Sequence, residues 1–196
     1  MSQATSDFDQ LIAHQLRTIR AAQGLTLEAL AVRAGVSRAM LSRIERGQSS
    51  PTAQLLNRLC HGLAIPLPAL FAAPSTPPNP LSRQSDQPTW RDPATGYHRR
   101  SISPPGMTSR VDIAEITFPP NTQIAFDNGR TDGTDQHVWV LEGQLDLEID
   151  AQTTSLHAGD CLYMRQDRPI LFRNPTDTPV RYAVIVCQGN QKGHQP

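Results

Sequence analysis

The chain has no charge excess, no long apolar run and no cysteine pairing pattern. Eighteen basic residues balance eighteen acidic ones across 196 positions, so overall charge selects no partner and any contact with a polyanion has to be local. No apolar stretch approaches the roughly 18 residues of a membrane span. The opening MSQATSDFDQ has two aspartates and no basic segment, unlike a secretory signal. The three cysteines, Cys60, Cys161 and Cys187, are odd in number, lack CxxC spacing and lie among apolar residues. They are expected to be buried free thiols in a reducing cytoplasm rather than disulfides or a zinc site. Internal repeats and heptads are absent, as are Ser-His-Asp or Cys-His pairings for nucleophilic catalysis.

The balanced charge is unevenly distributed. Residues 1–75 hold seven arginines (17, 20, 33, 38, 43, 46 and 58) against Asp7, Asp9, Glu28 and Glu45, an excess of +3, and the remainder carries −3. Between the halves lies PSTPPNPLSRQSDQP, residues 74–88, too proline-rich to continue a helix and too polar to build a core. It divides the chain into a front domain, 1–73, and a back domain, 89–196.

The front half reads as five helices. Leu11, Ile12, Leu16 and Ile19 recur at helical spacing and Gly24 ends that helix. Thr26 is a candidate cap for a second helix carrying Leu27, Leu30, Ala31 and Ala34, closed by Gly35. Ser37 caps a third, GVSRAMLSRIERG, with Val36 and Leu41 placed as a hydrophobic staple. A fourth follows SSPT with Leu55, Leu56, Leu59 and Leu63, and IPLPALF supplies a short fifth. The second and third helices, joined by a tight glycine turn, form a helix-turn-helix, whose second helix enters the DNA major groove. Leu41 and Ile44 would hold that helix on its domain while the side bearing 38, 42 and 43 stays free.

The stretch LTLEALAVRAGVSRAMLSRIERGQSSPTAQLLNRLCHGLAIPLPALF resembles the phage repressor–Cro class of helix-turn-helix domains, the XRE family, over residues 11–71. The resemblance implies base-edge contacts from Arg38, Ala39, Ser42 and Arg43. An arginine fork can satisfy O6 and N7 of guanine together, worth roughly 1–3 kcal/mol of discrimination. It implies phosphate contacts from Thr26, Ser37, Arg46, Gln48, Ser49 and Ser50, and a structural ion pair between Arg20 and Glu45. Met40 is expected to be partly packed.

The back half changes period. VDIAEITF, HVWVLEGQLDLEID, LYM, ILFRN and RYAVIVC are short, β-branched and partly alternating, separated by turn sequences. This pattern indicates an antiparallel sandwich or small barrel. VLEG, HAGD and PxxFRNP resemble a cupin, a double-stranded β-helix or jelly-roll barrel, over 89–188. Metal-binding cupins carry a His-x-His pair, a glutamate and a third histidine. Here no histidine falls between His98 and His137, Gln136 stands where the glutamate would be, and Ile170 replaces the last histidine. His137 is one place away from that ligand position and is expected on the opposite face, and His157 is expected at an exposed turn. No metal and no other cofactor are expected.

Two readings of the barrel stay open at this point. One is an effector pocket lined by Gln136, Val138, Ile170 and Phe172, with Trp139 or Arg173 at its edge. The other is a dimeriser packed solid by its own side chains. The leading functional expectation is a cytoplasmic, homodimeric transcriptional regulator, a repressor, binding a pseudo-palindromic double-stranded operator and sensing a small-molecule effector. The alternatives are a metal-dependent cupin enzyme fused to a DNA-binding domain and an antitoxin-like interaction protein. No membrane partner is expected.

Overall fold

The helical periodicity of the front half produces four α-helices. They are α1 (Gln3–Ala22), α2 (Leu27–Ala34), α3 (Arg38–Glu45) and α4 (Ala53–Leu63). The computed structural model describes residues 3–71, 79–107, 109–127 and 134–188. Three of the helix starts are capped by hydroxyls: Thr26, Ser37 and Thr52 accept from the backbone N–H of Ala29, Met40 and Leu55 at 3.0, 3.2 and 3.2 Å. Such a cap contributes about 1 kcal/mol. The expected fifth helix is instead a 3-10 helix over Leu67–Phe71. Pro66 and Pro68 cannot donate backbone hydrogen bonds, and the Ala69 N–H bonds to the Pro66 carbonyl three residues back.

Leu16, Leu30, Leu41, Ile44, Leu56, Leu59 and Leu63 are sealed in the centre of this helical layer. Each contributes roughly 1.5–3 kcal/mol by burial. Gly62 allows α4 to cross α2 closely, since a Cβ there would lie 3.1 Å from the Ala34 nitrogen. Gly35 ends α2 in the left-handed region at φ 61°, a conformation that costs glycine nothing.

The alternating segments of the back half form two antiparallel sheets. In chain order the strands are β1 (Thr89–Arg91), β2 (His98–Ser101), β3 (Val111–Phe118), β4 (Thr122–Phe126), β5 (Thr134–Glu142), β6 (Gln144–Ile149), β7 (Gln152–His157), β8 (Cys161–Arg165), β9 (Ile170–Asn174) and β10 (Val180–Gln188). The larger sheet has the order β1-β2-β3-β10-β5-β8 and the smaller β4-β9-β6-β7. The chain switches repeatedly between sheets, as in a jelly roll. Fully buried Asn174 ties one corner, its amide donating to the Phe118, Pro119 and Thr178 carbonyls at 3.2, 3.0 and 2.8 Å.

The proline-rich stretch does not leave the halves out of contact. Residues 74–78 lie outside the described residues, and 79–88 run irregularly around a single 3-10 turn, Gln84–Asp86. Phe71 from the helical layer meets Trp90 of β1 with ring centroids 6.3 Å apart, and Trp90 meets Tyr97 at 6.2 Å. The Asn57 side chain of α4 donates to the Asp127 carbonyl at 3.2 Å. Both halves thereby share one continuous apolar core.

Candidate nucleic-acid interface and barrel cavity

Helix α3 buries Leu41 and Ile44 and leaves Arg38, Ala39 and Arg43 exposed, with Ser42 half-buried between them. The eight-residue helix is too short to be stable alone, so these anchors hold it in place. The Arg38 guanidinium faces Glu28 at 3.8 Å with both side chains about two-thirds exposed, a pair too loose to hold it. At the other end of α3, Arg20 of α1 donates from Nε and Nη2 to both carboxylate oxygens of Glu45, at 2.6 and 2.8 Å.

The residues expected at phosphates divide by geometry. Thr26, Ser37, Arg46 and Gln48 are exposed around the helix-turn-helix and Ser49 is half-buried beside them. Arg46 also donates from Nε to the Ser42 carbonyl at 3.2 Å, which still leaves its terminal nitrogens outward. Ser50 is placed differently. Its hydroxyl donates to the Asp9 carboxylate, so its proton is engaged and a negative charge sits beside it.

Strand β5 alternates strictly. Gln136, Val138 and Val140 point inward and buried, while His137 and Trp139 point outward and exposed. Met40 is partly buried against the helical core.

A cavity of about 770 Å³, its open mouth included, lies where the barrel meets the helices. Gln136, Phe172, Tyr182 and Val186 supply barrel walls, Arg99 and Tyr97 come from β2 and the turn before it, and Asn57, Cys60 and His61 of α4 close the far side. Of the expected pocket residues, Gln136 and Phe172 line this space. Val138 and Ile170 are buried in the core but do not line this space. Trp139 and Arg173 are not at its edge. Both project from outer faces, Trp139 47% exposed and Arg173 held by Asp146 at 3.4 Å.

Sequence reasoning missed Arg99 and the α4 wall. In HRRS, alternation alone puts Arg99 opposite its neighbours His98 and Arg100, but a four-residue strand says nothing about which face is inside. Arg99 is 4% exposed, its guanidinium carbon sits 4.9 Å from the Phe71 ring centroid, and Asp112 faces it at 3.5 Å. Burial raises the Asp112 carboxyl above its ordinary range, with Arg99 opposing that rise. Burial likewise raises the Tyr97 and Tyr182 hydroxyls and the Cys60 thiol, which stays protonated. His98 is pushed down from the usual imidazole value, first by burial and then by Arg91 and Arg100.

A helix-turn-helix domain family matches residues 11–73 and a cupin domain family matches residues 114–186. The HTH-type transcriptional regulator SutR of Escherichia coli K12 is 26% identical over 191 residues, covering 90% of this chain and 94% of that protein. The crystal structure of an HTH_3 family transcriptional regulator from Vibrio cholerae superposes with a TM-score of 0.77 at 29% identity, over 95% of this chain and 99% of that one. The chain is an XRE-type helix-turn-helix transcriptional regulator with a C-terminal cupin domain. The transcriptional regulator ClgR of Mycobacterium tuberculosis is 40% identical over 58 residues, 30% of this chain and 52% of that protein.

The regulator's barrel does not fit the metal that many cupins hold. Among the described residues no cluster of three histidine, cysteine, aspartate or glutamate side chains converges. Gln136 points inward but its amide oxygen accepts from Gln166, and Ile170 offers no donor atom. His137 sits outside against Tyr163, ring centroids 5.4 Å apart, and His157 is exposed. Two of the regulator's cysteines depart from expectation. All three are free, but Cys161 is exposed and Cys187 half-buried, because both occupy outward positions of their strands. Among the described residues no helix is long and apolar enough to cross a membrane.

Proposed function

We propose that the regulator is a cytoplasmic, homodimeric repressor that reads base edges with Arg38, Ala39, Ser42 and Arg43. Thr26, Ser37, Arg46, Gln48 and Ser49 position it on phosphates. The observation that carries this is the α3 geometry: two buried aliphatic anchors and two exposed guanidinium groups on one eight-residue helix. The front domain occupies 1–73, the connecting segment 74–88 and the cupin domain 89–196.

Dimerisation is assigned to the outer face of the larger sheet. Val111, Trp139 and Tyr163 are exposed large apolar residues on its neighbouring strands, with half-buried Ile185 among them. Such a patch is costly in water and suits a two-fold contact between identical copies. The cavity between barrel and α4 serves as the effector site. A metal-dependent enzymatic role is not favoured, because among the described residues no metal-ligating side chains converge.

In vitro selection from a random duplex pool tests the reading. Recovery of an inverted repeat with half-site centres about 10 bp apart, roughly 34–36 Å, is expected. A pool that fails to enrich would overturn it.

A further inference from the structure

We propose that the cavity binds a small organic carboxylate whose charged end pairs with Arg99 and whose body lies between the barrel and α4. This rests on the reading of the cavity as an effector site and names the class of effector.

Arg99 is 4% exposed and lines the cavity, and its Nε is buried without a hydrogen-bond partner among the described residues. Buried donors are nearly always satisfied, and an orphaned donor on a cation marks a place for an acceptor. The Tyr97 hydroxyl shares a hydrogen bond with Arg99, yet it and Asp112 together leave Nε unmatched. The 3.5 Å separation from Asp112 exceeds the roughly 2.7–2.9 Å of a charge-assisted hydrogen bond. Phe71 covers one face of the guanidinium, which leaves its edge for an anion.

The walls define the rest of the ligand. Phe126, Phe172, Val184 and Val186 are apolar, so the anion carries an apolar body. Arg99 is the only arginine in the described cavity wall and already faces one carboxylate. A monoanion therefore suits it better than a dianionic phosphate, which calls for more cations.

The location gives such a ligand leverage on DNA binding. Cys60 and His61 form part of the wall, and Arg58 on the same helix donates to the Ala34 carbonyl at 3.0 Å and to the Gly35 carbonyl. Those carbonyls belong to the turn between α2 and the recognition helix. A ligand wedged against α4 acts on the element that holds this turn.

The test uses full-length protein and matched probes: benzoate and hexanoate, their uncharged amides, and inorganic sulfate and phosphate at equal ionic strength. Binding is read by calorimetry and by the fluorescence of Trp90, which sits beside Phe71. A carboxylate is expected to bind at least about tenfold tighter than its amide. It is also expected to shift affinity for the selected operator by about fivefold or more. Arg99→Gln should remove the preference for charge, and Arg99→Lys should retain it. The comparison of acid with amide on unaltered protein decides the question even where a variant fails to fold. Equal binding of amide and acid overturns the carboxylate proposal and leaves the effector reading standing, and tightest binding of sulfate or phosphate does the same. Carboxylate binding without any change in operator affinity overturns the leverage on α4. Absence of binding by every probe overturns both.

Discussion

Arg20 and Glu45 lie 25 residues apart in sequence and meet in a two-pronged ion pair that joins α1 to the end of the recognition helix. A third Arg20 donor, Nη1, reaches the Leu25 carbonyl at 2.7 Å, so the same side chain also fixes the entry to α2. Glu45 is buried and Arg20 nearly so, with 6% and 14% of their side chains exposed. Removing one partner leaves the other charge largely desolvated. Glu45→Ala is expected to destabilise the chain by about 3 kcal/mol in urea unfolding. It should also weaken DNA binding, because α3 loses its tether.

Arg43→Ala is expected to behave oppositely. Arg43 is exposed and makes no ion pair among the described residues, so the unfolding free energy should stay within about 0.5 kcal/mol of the parent. Loss of a base-edge contact should cost about 1–3 kcal/mol of operator affinity. Binding to random duplex should change far less. An equal loss on both, measured by fluorescence anisotropy, would show Arg43 at a phosphate instead.

Trp139→Lys should separate dimer from monomer. The Trp139 ring is 47% exposed on the outer sheet face, so replacing it leaves the buried core intact. A charge at the centre of a self-complementary patch is repeated in both copies and repels itself. Sedimentation analysis is expected to show a folded monomer whose melting temperature no longer depends on protein concentration. A variant that remains dimeric would place the interface elsewhere.

Chelation provides a direct check on the barrel. With Gln136 bonded to Gln166 and Ile170 in the place of a ligand, dialysis against EDTA should change neither the melting temperature nor operator affinity. A structural metal contributes on the order of 10 kcal/mol to a small domain. A fall in melting temperature after dialysis would therefore be unmistakable.

The parts legible in sequence were those governed by local rules. Thr26 and Ser37 announced helix starts because a side-chain oxygen beside free N–H groups is a short-range event. Gln136 and His137 could be sorted inward and outward because strand side chains alternate whatever surrounds them. Alternation could not assign Trp139 to a pocket, and placing it there ignored the face it occupies. The Ser50–Asp9 contact was not legible because the two residues lie 41 positions apart in the chain. Cys161 and Cys187 were misread because apolar neighbours in sequence alternate faces in space.

By itself the sequence determined the helix-turn-helix and the two-sheet barrel, since each follows from residue type and spacing over a few positions. Only the tertiary structure decided that α4 closes the barrel's cavity and that Arg99 lies inside it with an unmatched donor. Those facts depend on how two separately patterned halves pack together. That packing is set by contacts such as Phe71 on Trp90 and Asn57 on Asp127, between residues whose spacing along the chain carries no signal.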